Sequence, residues 1–239
     1  MIINNTFGFI FVHVPKAAGT TLTSVLSKHG SYCDIEIGGT AMGEAVQPFF
    51  RKRYGLTKHS TIREIRNVVG DALLKRYFTF AFVRNPYDRA YSAYKFLSRV
   101  WAEKQLKGLS EFARFHNFFE FVASKYFQGP GLDRMLMPQT FWISGDSHPE
   151  KIAVDYVGKV ENLDACLREI CERIGGGMEK KRTDVDHVMP VLNKSSEPGN
   201  AVWLELDTNP DIEEVLYKRY ASDFKAFDYP RLLNARQAA

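Results

Sequence analysis

The 239-residue chain is poor in cysteine: Cys33, Cys166 and Cys171 are widely and irregularly spaced and form no C-x-x-C pair. That spacing argues against a disulfide framework and against a cysteine-based zinc site. No apolar run approaches the roughly 18 residues of a membrane-spanning helix, and Met1-Ile2-Ile3-Asn4-Asn5 has no basic leader character. A soluble, cytoplasmic protein with no membrane span is expected. Internal repeats, low-complexity tracts and Pro/Gly-rich linkers are also missing, so one domain over residues 1–239 is expected. Charge of one sign is barely in excess, with 32 Lys and Arg against 28 Asp and Glu and a net charge of +4. That balance suits an anionic small ligand and is too diffuse to argue for nucleic acid. The phosphate loop G-x-x-x-x-G-K-[ST] does not occur either, because Lys16 precedes Ala17 and the glycine follows it. Magnesium-dependent phosphoryl transfer is therefore the poorer reading.

Two short segments carry most of the information. In the first, the apolar run Phe9–Val14 reads as a buried strand and passes through Pro15, Lys16, Ala17, Ala18 and Gly19 into Thr20-Thr21-Leu22, where a helix pattern begins. A strand, a basic turn and a helix N-terminus form an anion cradle, because free backbone N–H groups and the helix dipole point at the turn. Lys16 adds a full charge and the threonines add hydroxyl donors, so a phosphate or sulfate is the natural guest. Thr20 and Thr21 also suit helix capping.

The second segment repeats the layout. Phe78–Val83 is a strand-like run, Arg84 ends it, and Pro86 can open a helix that carries Ser92. Arg84 and Ser92 suit a second phosphate, one as a fork and the other as a hydroxyl donor. The bland alternatives are an Arg84–Asp88 surface pair and a Ser92 hydroxyl bonded within its own helix. Two anion sites at two strand ends suggest a nucleotide phosphorylated at two separate positions.

This pair resembles the 5′-phosphosulfate loop and 3′-phosphate motif of sulfotransferases that use 3′-phosphoadenosine 5′-phosphosulfate (PAPS), closest to the carbohydrate and heparan O-sulfotransferase branch and its bacterial relatives. The resemblance continues at Tyr156–Leu163, at Leu192-Asn193-Lys194-Ser195 and through Tyr217–Tyr229, and so spans about Phe9 to Tyr229. It implies an α/β, P-loop-like three-layer fold with a central parallel sheet flanked by helices. It also implies transfer of a sulfuryl group from PAPS to an acceptor hydroxyl, leaving adenosine 3′,5′-bisphosphate, with no metal. Pro15 to Thr21, Arg84 and Ser92 are the implied cofactor-binding residues, and Lys194 and Ser195 match a segment that closes over the cofactor in similar enzymes. Many animal members are anchored in the Golgi membrane, and the opening of this sequence does not show such an anchor.

Sulfuryl transfer needs positioning and stabilisation of charge growing on the leaving oxygen, a role for which Lys16 is the candidate. A general base must take the acceptor proton, and His59 leads because neutral imidazole is available near pH 7. The similar glycan sulfotransferases carry a catalytic His at about this place, some as H-x-H, whereas this sequence has a single His there. His13 reads as a buried polar residue, and His187 and Glu36 are remote alternatives for the base. The aromatics Phe96, Trp101, Phe118, Phe121, Phe127, Phe141 and Trp142 suit either an acceptor cleft or a core. Two rival functions remain open: a P-loop-like kinase, and a relative that binds the nucleotide without turnover. The acceptor and the oligomeric state are not readable.

The remaining pattern predicts a helix over Thr20–His29, a strand near Tyr32–Ile37 and irregular chain from Gly38 to Leu56. Thr61-Ile62-Arg63-Glu64 reads as a capping box opening a helix that ends near Gly70. Helices are predicted over Pro86–Arg99, Leu163–Ile174 and Pro210–Tyr220, a strand over Ala153–Val160, and helical spacing over Ser110–Tyr126. Gly175-Gly176-Gly177 should stop one helix, followed by a polar loop at Lys180–Pro190. Strands alternating with helices argue for a parallel sheet covered on both faces.

Overall fold

A computed structural model describes residues 1–106, 115–129, 133–145, 151–174, 203 and 206–232. The predicted Gly175–Gly177 stop, the Lys180–Pro190 loop and the Leu192–Ser195 segment lie outside them, as does the start of the Ser110–Tyr126 stretch. The backbone gathers into two compact units, Met1–Arg84 with Gln139–Ser196, and Asn85–Pro138 with Glu197–Ala239.

The first unit is built on a five-stranded sheet. In chain order its strands are β1 (Ile2–Asn4), β2 (Phe9–Val12), β3 (Ile35–Glu36), β4 (Phe78–Val83) and β5 (Tyr156–Lys159), arranged β3-β1-β2-β4-β5. β2 pairs parallel with β4, Val12 opposite Ala81, and β4 pairs parallel with β5, Val83 opposite Lys159. The expected all-parallel sheet is corrected at one strand: β1 runs antiparallel to both β2 and β3. Only four residues, Asn5 to Gly8, separate β1 from β2, a hairpin length too short for a parallel crossover. Asp34 pins that hairpin by accepting from the Asn5 and Thr6 N–H groups and the Asn4 amide. The other four strands point the same way.

Period-2 alternation sorts the side chains. Phe9, Phe11, Phe80 and Phe82 share one face and pack against Leu22 and Leu26 of α1 (Gly19–Leu26) and Leu167 and Ile170 of α8 (Leu163–Ile174). Ile10, Val12, Ala81 and Val83 lie on the other face, equally buried, where α3 (Ile62–Arg76) approaches β4. Burial on both faces explains why these strands read as continuous apolar runs.

Local signals set the helix bounds. The Thr61–Glu64 capping box forms, with both of its hydrogen bonds, at the start of α3. Gly70, at φ 80°, kinks α3 at the predicted end, and the helix resumes to Arg76. The predicted irregular chain after Gly38 is corrected to a helix, α2 (Ala41–Tyr54), capped by Thr40. Gly43 and Pro48 hide it in sequence, and its largely exposed surface gives it no apolar stripe.

The second unit is helical. It contains α4 (Pro86–Leu106), α5 (Phe118–Ala123), α6 (Lys125–Gln128), α9 (Pro210–Arg219) and an unpredicted α10 (Ala221–Ala226), whereas the short α7 (Thr140–Ile143) belongs to the first unit. Tyr87, Ala90, Ala93 and Leu97 form the buried stripe of α4 and meet Phe118, Phe121, Phe127, Leu216 and Phe224. Arg89, wholly buried, donates to the carbonyls of Met135 and Met137 at 3.0 and 2.7 Å, and Tyr87 donates to Glu213. No helix among the described residues is long and apolar enough to cross a membrane.

Candidate active site

The carboxyl ends of β2 and β4 lie side by side, and the Pro15–Gly19 turn and Arg84 follow directly from them. β3 turns the chain out toward that end of the sheet through Gly38 and Gly39, both at positive φ. From β2 the chain crosses to β3 on one side and later returns to β4 on the other. This reversal is the switch point at which open α/β sheets bind ligands.

The turn after β2 has unusual backbone. Lys16 and Ala18 take positive φ, 65° and 56°, with Ala17 between them in ordinary backbone. Left-handed backbone costs a residue with a side chain roughly 1–2 kcal/mol. Such alternation turns successive peptide N–H groups to one side, making a concavity for anions. α1 begins just beyond it, with Ala18 as N-cap, no side-chain cap and no acidic residue in the first turn. Thr20 and Thr21 are therefore not the capping residues; they lie inside the first turn of the helix. Pro15 and Ala17 are buried, Lys16 and Thr21 half-buried, and Thr20 exposed.

Arg84 is held at its backbone. Its N–H donates to Gln139 Oε1 and its carbonyl accepts from Gln139 Nε2, both at 2.8 Å. Its half-buried side chain makes no ion pair among the described residues. Asp88, the bland partner considered for it, instead accepts from the Trp203 indole at 2.9 Å within the second unit. Ser92 lies half-buried on α4 of that second unit. Lys194, Ser195 and His187 lie outside the described residues.

His59 sits in the turn Thr57–Ser60, just before the α3 capping box. Its Nδ1 is 2.9 Å from the carbonyl oxygen of His13, which can only accept, so Nδ1 carries the proton and Nε2 keeps its lone pair. Burial lowers its pKa to about 4, with Lys58 adding to the effect and the bond to His13 opposing it. α2 braces the turn: Gln47 accepts from the Lys58 N–H at 2.8 Å, and Glu44 pairs with Lys58 Nζ at 2.8 Å. Gly38 makes room, since a Cβ there would lie 2.4 Å from Lys58 Cβ. Glu36 accepts from the Thr40 hydroxyl. Gln47, Glu44 and Gln139 were invisible to sequence reasoning, because no motif marks a residue that supports another.

For four of the aromatics open to either a cleft or a core, packing decides for the core. Phe118, Phe121 and Phe127 are core residues of the second unit, and Phe96 packs partly buried against that core. Phe141 carries Arg63 over its ring at 5.6 Å, and Trp142 is buried with its ring 6.1 Å from that of His59.

A family model described as the sulfotransferase family matches residues 1–230. The chain belongs to the sulfotransferase family. Carbohydrate sulfotransferase 11 of Mus musculus is 26% identical to it over 254 aligned positions, covering 96% of this chain and 66% of the mouse protein. The Rattus norvegicus protein of the same name gives the same figures. An uncharacterized protein of Archaeoglobus fulgidus is 30% identical over 111 positions, covering 46% of this chain and 78% of its own length. The chain thus spans just under two thirds of the mammalian relatives it matches. No solved structure matches it. The family match, residues 1–230, runs through both compact units.

Proposed function

We propose that this sulfotransferase moves a sulfuryl group from PAPS to an acceptor hydroxyl, without a metal ion, in a single P-loop-like domain. One observation carries the reading: the Lys16 turn and Arg84 follow the carboxyl ends of two adjacent parallel strands. The uncapped first turn of α1 and the left-handed backbone at Lys16 and Ala18 suit an anionic group. When bound, PAPS supplies the sulfuryl group on a phosphate leaving group.

Each residue then has a physical task. The backbone from Ala17 to Thr21 holds an anion, and the Lys16 ammonium stabilises negative charge beside it. The Arg84 fork suits a second phosphate; the part given to Ser92 rests on the sequence motif. His59 takes the acceptor proton on Nε2, with Nδ1 anchored to the His13 carbonyl, a contribution on the order of 10²–10⁴ in rate.

Thermal unfolding with adenosine 3′,5′-bisphosphate, 5′-ADP and Mg·ATP tests the reading. At a hundred times its Kd the bisphosphate adds about 2.7 kcal/mol, which raises Tm by roughly 5–10 °C. A shift with Mg·ATP in its place would turn the reading toward a kinase. Bisphosphate binding with no sulfuryl transfer to a broad hydroxyl panel would favour a non-catalytic relative.

A further inference from the structure

We propose that His13 is a positioning residue that couples the anion turn to the base: its ring is wedged between the first residue of α1 and the His59 imidazole. The inference rests on the sulfotransferase reading above and on three contacts.

First, His13 lies against Gly19 so closely that no side chain fits there. A Cβ on Gly19 would sit 1.7 Å from His13 Nε2, 2.1 Å from Cδ2 and 2.5 Å from Cε1. Gly19 does not have positive φ, so its backbone conformation does not demand glycine; the neighbouring ring does. Second, the His13 and His59 ring centroids are 4.6 Å apart at 75°, an edge-to-face contact. Third, the His13 carbonyl fixes the proton of His59 on Nδ1. His13 thus touches both the helix that opens the anion cradle and the group that receives the acceptor proton. The stacked Phe11 ring, centroid 5.7 Å away, limits its movement from the strand side.

The chemistry of the ring supports a role beyond filling space. His13 is 3% exposed, and its Nδ1 has no hydrogen-bond partner among the described residues. A phenylalanine would avoid that cost, so filling space does not by itself call for histidine. The edge-to-face contact also limits the orientations open to the His59 ring as the base takes a proton. Burial, the Met1 amino group, His59 and Lys58 all keep His13 uncharged. The groups acting on His59 itself are Lys58 of its own turn, the Met1 amino group, His13 of β2's extension and Glu44 of α2.

A double-mutant cycle read by proton–nitrogen correlation spectra of the histidine rings tests the coupling without nucleotide. Gly19→Ala should shift the His59 ring signals in the otherwise native chain, because the new methyl group must displace His13. In a His13→Ala background, or His13→Gln should that fold better, the same Gly19→Ala change should leave His59 unmoved. Equal shifts in both backgrounds, or no shift in either, would overturn the proposal. In turnover with PAPS, His13→Ala should lower kcat about tenfold, the scale of one aromatic edge-to-face contact, while the KM for PAPS changes less than twofold. His13→Phe should recover part of kcat by restoring a ring. A wild-type chain that fails to bind adenosine 3′,5′-bisphosphate would refute the sulfotransferase reading, whereas normal binding without coupling in the spectra would refute the role of His13 alone.

Discussion

Gln139 grips Arg84 by its peptide backbone, accepting from the N–H and donating to the carbonyl, each at 2.8 Å. One fully buried amide thereby replaces the sheet partners that Arg84 loses on leaving β4. Gln139→Ala would leave both backbone groups without their partner, a cost of about 1–3 kcal/mol. For a chain of this size that lowers Tm by roughly 2–12 °C, together with a weaker grip on the bisphosphate. An unaltered melting curve would refute this account of the strand end.

The left-handed backbone at Lys16 separates two roles of that residue. Lys16→Ala and Lys16→Gly should both lose turnover by about 10²–10³-fold, since each removes the ammonium. Glycine accepts positive φ without penalty, so the Gly variant should be the more stable of the two by about 1 kcal/mol. Comparing their denaturant midpoints checks this; a more stable Ala variant would contradict the conformation.

Arg84→Ala should weaken adenosine 3′,5′-bisphosphate binding by roughly 10- to 100-fold, the worth of a charge-assisted hydrogen bond. Binding of 5′-ADP should fall far less, because it lacks the 3′-phosphate. Titration calorimetry with both nucleotides decides the point. Equal losses for the two would move Arg84 to a different phosphate.

The pH dependence follows from two depressed histidines. His59 titrates at about 4 and His13 well below its ordinary value of 6.5, both chiefly through burial. Between those values and 6.5 the unfolded chain binds protons that the folded chain does not. Their contribution to stability is therefore complete above pH 6.5 and declines as pH falls toward 4. Thermal midpoints measured across that window should drop, and His59→Gln should flatten part of the slope. For the same reason kcat/KM should show no acid limb between pH 5.5 and 7. An acid limb near 6.5 would mean that His59 is solvated in the free protein, or that a different group is the base.

Local signals in the chain were enough for the outline. The Phe78–Val83 strand, the Thr61–Glu64 capping box and the Leu163–Ile174 helix stand where the pattern puts them, and the strand read over Phe9–Val14 forms over Phe9–Val12, because propensity, capping and periodicity act between near neighbours. The Lys16 turn and Arg84 were legible for the same reason: each is a strand end followed by a helix start. Contacts between distant segments were not legible. The reversed β1, the exposed helix α2, the Gln139 grip on Arg84, the hold of Gln47 and Glu44 on Lys58 and the bond of His59 to the His13 carbonyl join residues remote in sequence. The aromatic residues show the division most plainly. Their helical spacing is equally compatible with a cleft and a core, and only packing placed Phe118, Phe121 and Phe127 inside. Sequence alone determined which residues carry charge and where strands end, since both are local properties. Tertiary structure decided which of those ends adjoin and which imidazole nitrogen keeps its lone pair, since both depend on contacts that form only when the chain closes on itself.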